Sequence, residues 1–359
     1  MSRVLRRYLA REILSSTALV LVAFLGLFAF FDVINELEDV GKQGYELHHA
    51  LIYVLMTLPS RVYELMPVAV LIGSLYALTT LARHSEITVM RASGLSNGAM
   101  MRTLGLIGLV FVTLTFVFGE YLAPPAERAA QQWKLVATQA TVSQQLRSGL
   151  WVKDGPRVVN VRTLLPDRSM ERVRIFEFDE QLQMTSVSEA QAGRYDAQEG
   201  SWRLTGVRQT QFTDGATAVV ELPEIAWRSE LTPDVLSVLM VAPERMSVDA
   251  LYAYIRHLQE NRQSAERYEI ALWKKLTYPL AALVMMALAL PFAFMHDRHG
   301  AVSVKVFFGV MLGVGFHLLN GLFSNLGAIN AWPPVMAAIT PSLIFLLAAG
   351  ALLYLVERR

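Results

Sequence analysis

Long uncharged runs and short alternating ones divide the chain into two kinds of material. Residues 13–31 carry no charge over 19 positions, enough helix to cross a hydrocarbon core of about 30 Å. Arg3, Arg6, Arg7 and Arg11 precede the run, as in a secretory signal. The run is longer than the roughly 7–15 apolar residues of a signal core, and no small-residue cleavage site follows it. The pattern predicts an uncleaved first span. Residues 50–81 are apolar but interrupted by Pro59, Arg61, Glu64 and Pro67. As one helix they would run about 48 Å, too long for one upright crossing. The expectation is an interfacial approach helix ending near Pro59, then a second span over 62–81. Residues 103–119 form a third uncharged run, extended by Met100 and Leu122, and 276–295 a fourth. Residues 306–356 carry no charge at all, but Asn330-Ala-Trp-Pro-Pro334 is a turn with two helix breakers. It splits them into a fifth span, 306–326, and a sixth, 335–356.

Residues 124–268 hold 36 of the 63 charged residues. Strand-like runs recur there at 150–152, 157–161, 172–178, 202–207, 209–212 and 218–222. Turn signals separate them, among them Lys153-Asp-Gly155, Pro166-Asp167, Glu199-Gly200 and Thr213-Asp-Gly215. At 247–267, Leu251, Tyr254, Ile255 and Leu258 have helical spacing. The predicted fold is an α-helical membrane protein of six transmembrane helices with an inserted all-β domain. Spans one to three occupy 1–123, the β domain with its linker helix 124–268, and spans four to six 269–359.

Composition and charge agree. The chain is 53% hydrophobic and 18% charged, below the roughly 25% charged of soluble domains. Its net charge of +1 argues against a nucleic-acid binder. The absence of Cys excludes disulfides, thiolate metal sites, iron–sulfur clusters and thiol catalysis. Basic residues lie before span one, at Arg83, Arg91 and Arg102, at Arg298 and Lys305, and at Arg358 and Arg359. The positive-inside rule puts all of them in the cytoplasm only if there are six spans with both termini cytoplasmic. The β domain then lies outside the membrane.

Catalytic motifs are sparse. No phosphate-binding P-loop occurs, since Gly41-Lys42 is followed by Gln43. The zinc-protease pair H-E-x-x-H is missing, and His48-His49 reads as interfacial. Gly94-Leu-Ser96-Asn-Gly98 fits the nucleophile-elbow pattern, but that elbow needs a strand before it. Gly94 reads better as the residue ending a helix. Gly309 and Gly313 permit close helix approach, within this bundle or against a partner. His317, Asn320 and Asn325 are polar groups of the same span, for packing or for lining a pathway. In the loop from Arg83 to Gly94, Ser85 can cap a short helix, Glu86 suits its positive end, and Ile87, Met90 and Arg91 share one face. These residues alone leave two readings, an interfacial helix or a docking helix for a cytoplasmic partner.

Ser85-Glu-Ile-Thr-Val-Met-Arg-Ala-Ser-Gly-Leu-Ser96 resembles the coupling-helix signature of the LptF/LptG permeases of lipopolysaccharide export. Leu150-Trp-Val-Lys-Asp-Gly155, Leu231-Thr-Pro-Asp234 and Trp273-Lys-Lys275 resemble the LptG branch more than the LptF branch. The resemblance covers essentially the whole chain and implies three spans, a periplasmic β-jellyroll and three spans. It implies a non-catalytic permease subunit of an ABC exporter in the inner membrane of a Gram-negative bacterium. Its partners would be an LptF-like permease, an LptB-like ATPase dimer that binds the ATP and Mg, an LptC-like bitopic protein and an LptA-like periplasmic bridge. The chain would hold no cofactor and no metal. By the same resemblance Ser85, Glu86, Ile87, Met90, Arg91 and Gly94 form the ATPase-coupling element. Arg128, Lys134, Lys274 and Lys275 are the expected contacts for lipopolysaccharide phosphates. Phe24, Phe28, Leu65, Met66, Met311 and Phe316 would line an apolar cavity of spans one, two and five. Asp32 departs from relatives that can be basic there, and Glu36, Glu38 and Asp39 follow it, while Gln131 replaces a basic residue. Phosphate contacts are therefore expected to avoid the end of span one. The rival reading is a mechanotransmitting or scaffold subunit, which moves a periplasmic domain without passing lipid. A membrane-bound enzyme would need a cluster of convergent ionisable residues near a membrane edge.

Overall fold

The computed structural model describes residues 3–42, 44–94, 97–138, 148–165, 169–213, 216–229, 232, 242–294 and 302–357. The Leu231–Asp234 motif apart from Thr232, the turns at 166–167 and 214–215, Leu95, Ser96, Arg298, Arg358, Arg359 and the Arg91 side chain lie outside the described residues.

Helix α1, Arg3–Leu37, extends the first uncharged run by a basic turn and an acidic one. Helix α2, Leu47–Arg83, is unbroken across Pro59 and Pro67. The expected approach helix and second span are thus one element. Each proline removes one backbone donor, but within a membrane neighbouring groups can re-satisfy the freed backbone. The Tyr278 hydroxyl donates to the Glu64 carbonyl at 2.6 Å, a cross-helix bond to the α2 backbone close to Pro67. Burial does the rest: 72% of the apolar window of α2 is buried, against 6% of that of α1. Helix α3, Glu86–Ala92, links α2 to α4, Asn97–Val117. Helix α4 continues through a π turn, Phe118–Leu122, into α5, Ala123–Ala137. The segment after the third apolar run is therefore still helical to Ala137, and the first described strand begins at Leu150.

The inserted domain is one antiparallel sheet whose strands neighbour each other in chain order. They are β1 Leu150–Asp154, β2 Arg157–Leu164, β3 Met170–Phe178, β4 Met184–Asp196, β5 Ser201–Thr213 and β6 Ala216–Trp227. Strand β4 escaped the sequence pattern because its inward positions are Ser186, Ser188, Ala190 and Gly193, small residues without a hydrophobic signature. The runs at 202–207 and 209–212 are one strand, β5.

A line of irregular pairing crosses this sheet. The ladders omit the pairs joining Arg162, Arg172, Gln191, Gly206 and Pro223, although register is the same on both sides. Arg172 and Gly206 have φ of +52° and +62°. On one side the buried row is Val161, Val173, Ala190 and Val207. On the other, Met170 and Leu204 are buried, three residues away instead of two or four. In β3 and β5 positive φ leaves two successive residues facing outward and shifts the inward phase by one position, and β4 makes the same shift between Ala190 and Gly193. One core, built on Trp202, Trp227, Met170 and Val173, then serves both halves. A side chain at Gly206 would also place its Cβ 2.9 Å from Gln191. Leu135 of α5 enters the same core and ties the sheet to the third span.

Four more helices return the chain: α6, Val248–Glu260; α7, Glu266–Thr277, followed by a short 3₁₀ turn; α8, Ala281–Phe294; and α9, Val302–Ile329. Helix α10, Pro334–Glu357, completes the bundle. Among the described residues, six helical stretches are long and apolar enough to cross a membrane. Helix α2 sits centrally, packed on α1, α5, α8 and α9. Gly309 and Gly313 face α2, where a Cβ would meet Leu75 at 2.7 Å and Val68 at 2.5 Å. These glycines serve packing inside the chain.

Candidate functional site

The two ends of the bundle carry different chemistry. At the end that holds the N-terminus, Ser85 takes φ +60°, not the extended backbone usual for an N-cap. It opens α3 through its carbonyl, which accepts from the Val89 amide at 3.0 Å. Gly94, at φ +91°, follows the helix as expected. Ile87 and Met90 are buried in the bundle core with Leu81, Met100 and Leu104. These two side chains anchor α3 and are not available to a partner. Its open face is Thr88, Val89 and Ala92, with Val89 63% exposed. The Glu86 carboxylate accepts from the Tyr8 hydroxyl of α1 at 2.8 Å, so α1, α2 and α3 are tied together there. Tyr8 and Val89 were not singled out by sequence. An outward apolar residue on a short loop helix was the available signal for Val89.

The sheet end is a lattice of paired charges. Arg61 grips Asp32 with two hydrogen bonds, 2.6 and 2.9 Å, and holds Glu64 at 2.9 Å. Arg245, which follows the sheet in sequence, reaches Glu127 of α5 at 2.7 Å, and Ser60 of α2 donates to the same carboxylate at 3.0 Å. Lys134 lies between Glu36 at 2.8 Å and Asp39 at 3.0 Å. The Tyr45 hydroxyl also donates to Glu36, at 3.0 Å. Lys42 and then Lys134 hold the Asp39 carboxyl below the usual carboxylate range. Glu120, in the π turn, accepts from the Val248 amide at 3.0 and 3.1 Å, binding the start of α6 to the third span. A carboxylate at that position suits the positive end of a helix.

The four basic residues expected at phosphates therefore have different fates. Arg128 is exposed and donates to the Pro124 carbonyl of its own helix at 3.3 Å. Lys134 is enclosed by carboxylates. Lys274 donates to Ser324 of α9 at 3.3 Å. Lys275 is 5% exposed, with its ammonium 5.1 Å from the centre of the Tyr63 ring. Asp32, the departure noted in the sequence, is matched by Arg61 from the next helix. The sequence showed Arg61 and Glu64 only as interruptions of an apolar run. A cation and an anion three residues apart inside a span were the signal that a charged network is built there.

The six apolar candidates also divide. Met66 and Phe316 are buried in this chain's own core, where Phe316 packs on Tyr278 and Phe345. They do not line an open cavity of this chain. Phe24 and Leu65 are half-buried, while Phe28 and Met311 are exposed. A cleft of about 740 Å³ lies instead on the sheet, along the line of irregular pairing and beside Arg162, Arg172, Gln191 and Arg208.

A family model described as lipopolysaccharide export system permease LptF/LptG matches residues 7–355. The chain belongs to the LptF/LptG family. It is 30% identical over 345 residues to the lipopolysaccharide export system permease protein LptG of Escherichia coli (strain K12), covering 96% of both chains. It is 29% identical over 346 residues to LptG of Haemophilus influenzae, covering 96% of this chain and 97% of that one. The match runs through all six spans, α3 and the sheet, so this LptF/LptG-family chain is a multi-pass membrane protein with an inserted β domain.

Proposed function

We propose that the chain is the permease subunit of an ABC exporter that takes lipopolysaccharide from the outer leaflet of the inner membrane. It would pass the lipid through its periplasmic sheet domain to an LptA-like bridge. The observation that carries this reading is the family match over residues 7–355 on a chain that keeps six spans and the inserted sheet. By the positive-inside rule the basic loops would put both termini in the cytoplasm and the sheet in the periplasm. Paired with an LptF-like permease and joined by an LptC-like protein, the chain would offer the exposed apolar faces of α1 and α9, including Phe28 and Met311, to the acyl chains. Moving those chains out of the membrane costs about 0.8 kcal/mol per CH₂. A separate LptB-like ATPase dimer, with its own ATP and Mg, would supply the drive. This chain performs no chemistry in the cycle.

The element receiving that drive is α3. Ile87 and Met90 fix it to the core, so a push on its outer face moves the bundle instead of bending a loop. Glu86, with Val89 and Thr88, is the surface offered to the ATPase. A charge-assisted hydrogen bond accepted by Glu86 contributes about 1.5–3 kcal/mol. The test is Glu86→Ala in the reconstituted complex. The variant should fold and pair with its partner permease, yet lose ATPase docking roughly tenfold or more and lose lipid export. Normal docking and export by the variant would remove α3 from the coupling role.

The paired sheet-end charges favour a second reading, the mechanotransmitting subunit, at one point only. With Lys134 already satisfied, phosphates find one cation fewer there than the sequence suggested.

A further inference from the structure

An open slot lies between the early turns of α1 and α4, on the bundle end that holds the N-terminus. Its volume is about 370 Å³, within the range of small-ligand sites. Arg3, Arg6 and Arg7 stand on its α1 side, with Ala10 and Leu14 on the same helix face at spacings of three and four. Leu106, Ile107 and Val110 form the α4 wall, with Thr103 at the start. Helices α1 and α4 both leave this end of the bundle in the same direction, so depth increases along both sequences together. Charge and hydroxyl come first, and apolar side chains follow in the direction of the membrane interior. The order matches a phosphate headgroup above acyl chains.

The charges also differ from those at the other end. No carboxylate lines the slot, and among the described residues none pairs with Arg3, Arg6 or Arg7. Their guanidinium groups are exposed. A guanidinium fork suits a phosphodiester, and basic pockets between spans on the cytoplasmic side are the sort of place that binds anionic headgroups. Leu106 is 58% exposed, so the wall is open to a chain entering sideways from lipid.

We propose that the α1–α4 slot is a binding site for an anionic phospholipid of the leaflet facing the chain termini, cytoplasmic in the orientation given above. The headgroup phosphate sits among Arg3, Arg6 and Arg7, and an acyl chain lies along Leu14, Leu106, Ile107 and Val110. This lipid is a resident of the membrane, distinct from the exported one, and the site stands whether or not the chain exports lipopolysaccharide. It holds α1 against α4 beside Tyr8 and Glu86, where the two helices otherwise meet little.

The experiment uses the assembled complex in nanodiscs carrying a trace of photoactivatable phosphatidylglycerol or, separately, phosphatidylcholine. Labelling is read by mass spectrometry on peptides covering 3–14 and 103–110. Each basic residue near an anionic surface is worth about fivefold in partition. Phosphatidylglycerol should therefore label the slot at least about fivefold more than phosphatidylcholine. The Arg6→Gln plus Arg7→Gln variant should bring the two lipids close together, while Arg6→Lys plus Arg7→Lys keeps most of the preference. Leu106→Trp, which fills the slot without touching charge, should reduce labelling by both lipids and decides the matter should the Gln variant fail to assemble. Inorganic phosphate in millimolar excess should not compete. Equal labelling by the two lipids, labelling unchanged in Leu106→Trp, loss of labelling to free phosphate, or a photoreactive residue at 106 that captures a protein chain in place of lipid would each overturn the proposal.

Discussion

The two ends of the bundle both carry basic side chains and use them in opposite ways. At the sheet end, Arg61, Lys134 and Arg245 are each held by carboxylates from another helix, so the charges are spent on joining α1, α2, α5 and the segment after the sheet. At the terminal end, Arg3, Arg6 and Arg7 face a slot lined by no acid among the described residues. The difference follows from neighbours and not from composition. A basic residue is available to a phosphate only where no carboxylate has reached it first, because the pair must be broken before the anion can bind. Position along a span tells which side a cation is on, and the partner tells whether it is free.

The largest effect that would test this contrast is Glu127→Ala. Glu127 is 1% exposed and faces Arg245, which is 30% exposed at its side chain. Breaking a fully buried pair costs roughly 3–5 kcal/mol. Because Arg245 reaches solvent, we expect about 2–3 kcal/mol, seen as earlier thermal unfolding of the purified complex. The matched change Arg6→Gln at the other end should leave unfolding within about 0.5 kcal/mol. Equal losses at the two ends would end the comparison.

A second change should convert one end toward the other. Glu36→Gln with Asp39→Asn removes the carboxylates around Lys134 and should raise site-specific lipopolysaccharide crosslinking at 134 severalfold, with no gain at 275, where burial against Tyr63 is untouched. If crosslinking at 134 is already maximal in the unaltered chain, pairing does not keep the anion out.

The smallest effect is a pH dependence. The folded-state pKa of Asp39 lies below its unfolded value of about 3.9. Its contacts with Lys42 and Lys134 therefore stabilise the α1–α2 turn above that value and are lost as pH falls through the lower folded one. Hydrogen exchange over residues 37–42 should be flat from pH 7 to about 5, after correction for intrinsic rates, and should quicken only below about 4. A change centred near neutrality would assign the turn to another group.

Spans and sheet were legible in the sequence because lipid and water impose crude, long-range patterns: uncharged runs of about 20 residues, or alternation between turns. The failures lie where a second element overrides the local signal. Pro59 and Pro67 looked like a break, yet α2 is central and its neighbours keep it continuous. Strand β4 turns small residues inward, Gly193 against Leu204 and Met170, so its inward face carried no apolar mark. The phase shift at Arg172 and Gly206 breaks alternation across the sheet and hid the unity of β5. In the candidate site, Glu86 and Gly94 were visible by residue type and spacing. The inward turn of Ile87 and Met90, and the partners of Lys134 and Asp32, depend on contacts between residues up to about a hundred positions apart, which no local pattern contains.

The central claim, that this chain moves lipopolysaccharide at the expense of ATP hydrolysed elsewhere, is tested most directly by a transfer assay. Proteoliposomes loaded with lipopolysaccharide and containing the chain, an LptF-like permease and the ATPase would be given ATP and a soluble bridge protein carrying a photocrosslinker. The account predicts ATP-dependent crosslinking of lipopolysaccharide to the bridge, lost when this chain is left out and lost in Glu86→Ala. Transfer that persists without the chain, or steady ATP hydrolysis by the full complex with no lipid reaching the bridge, would contradict it.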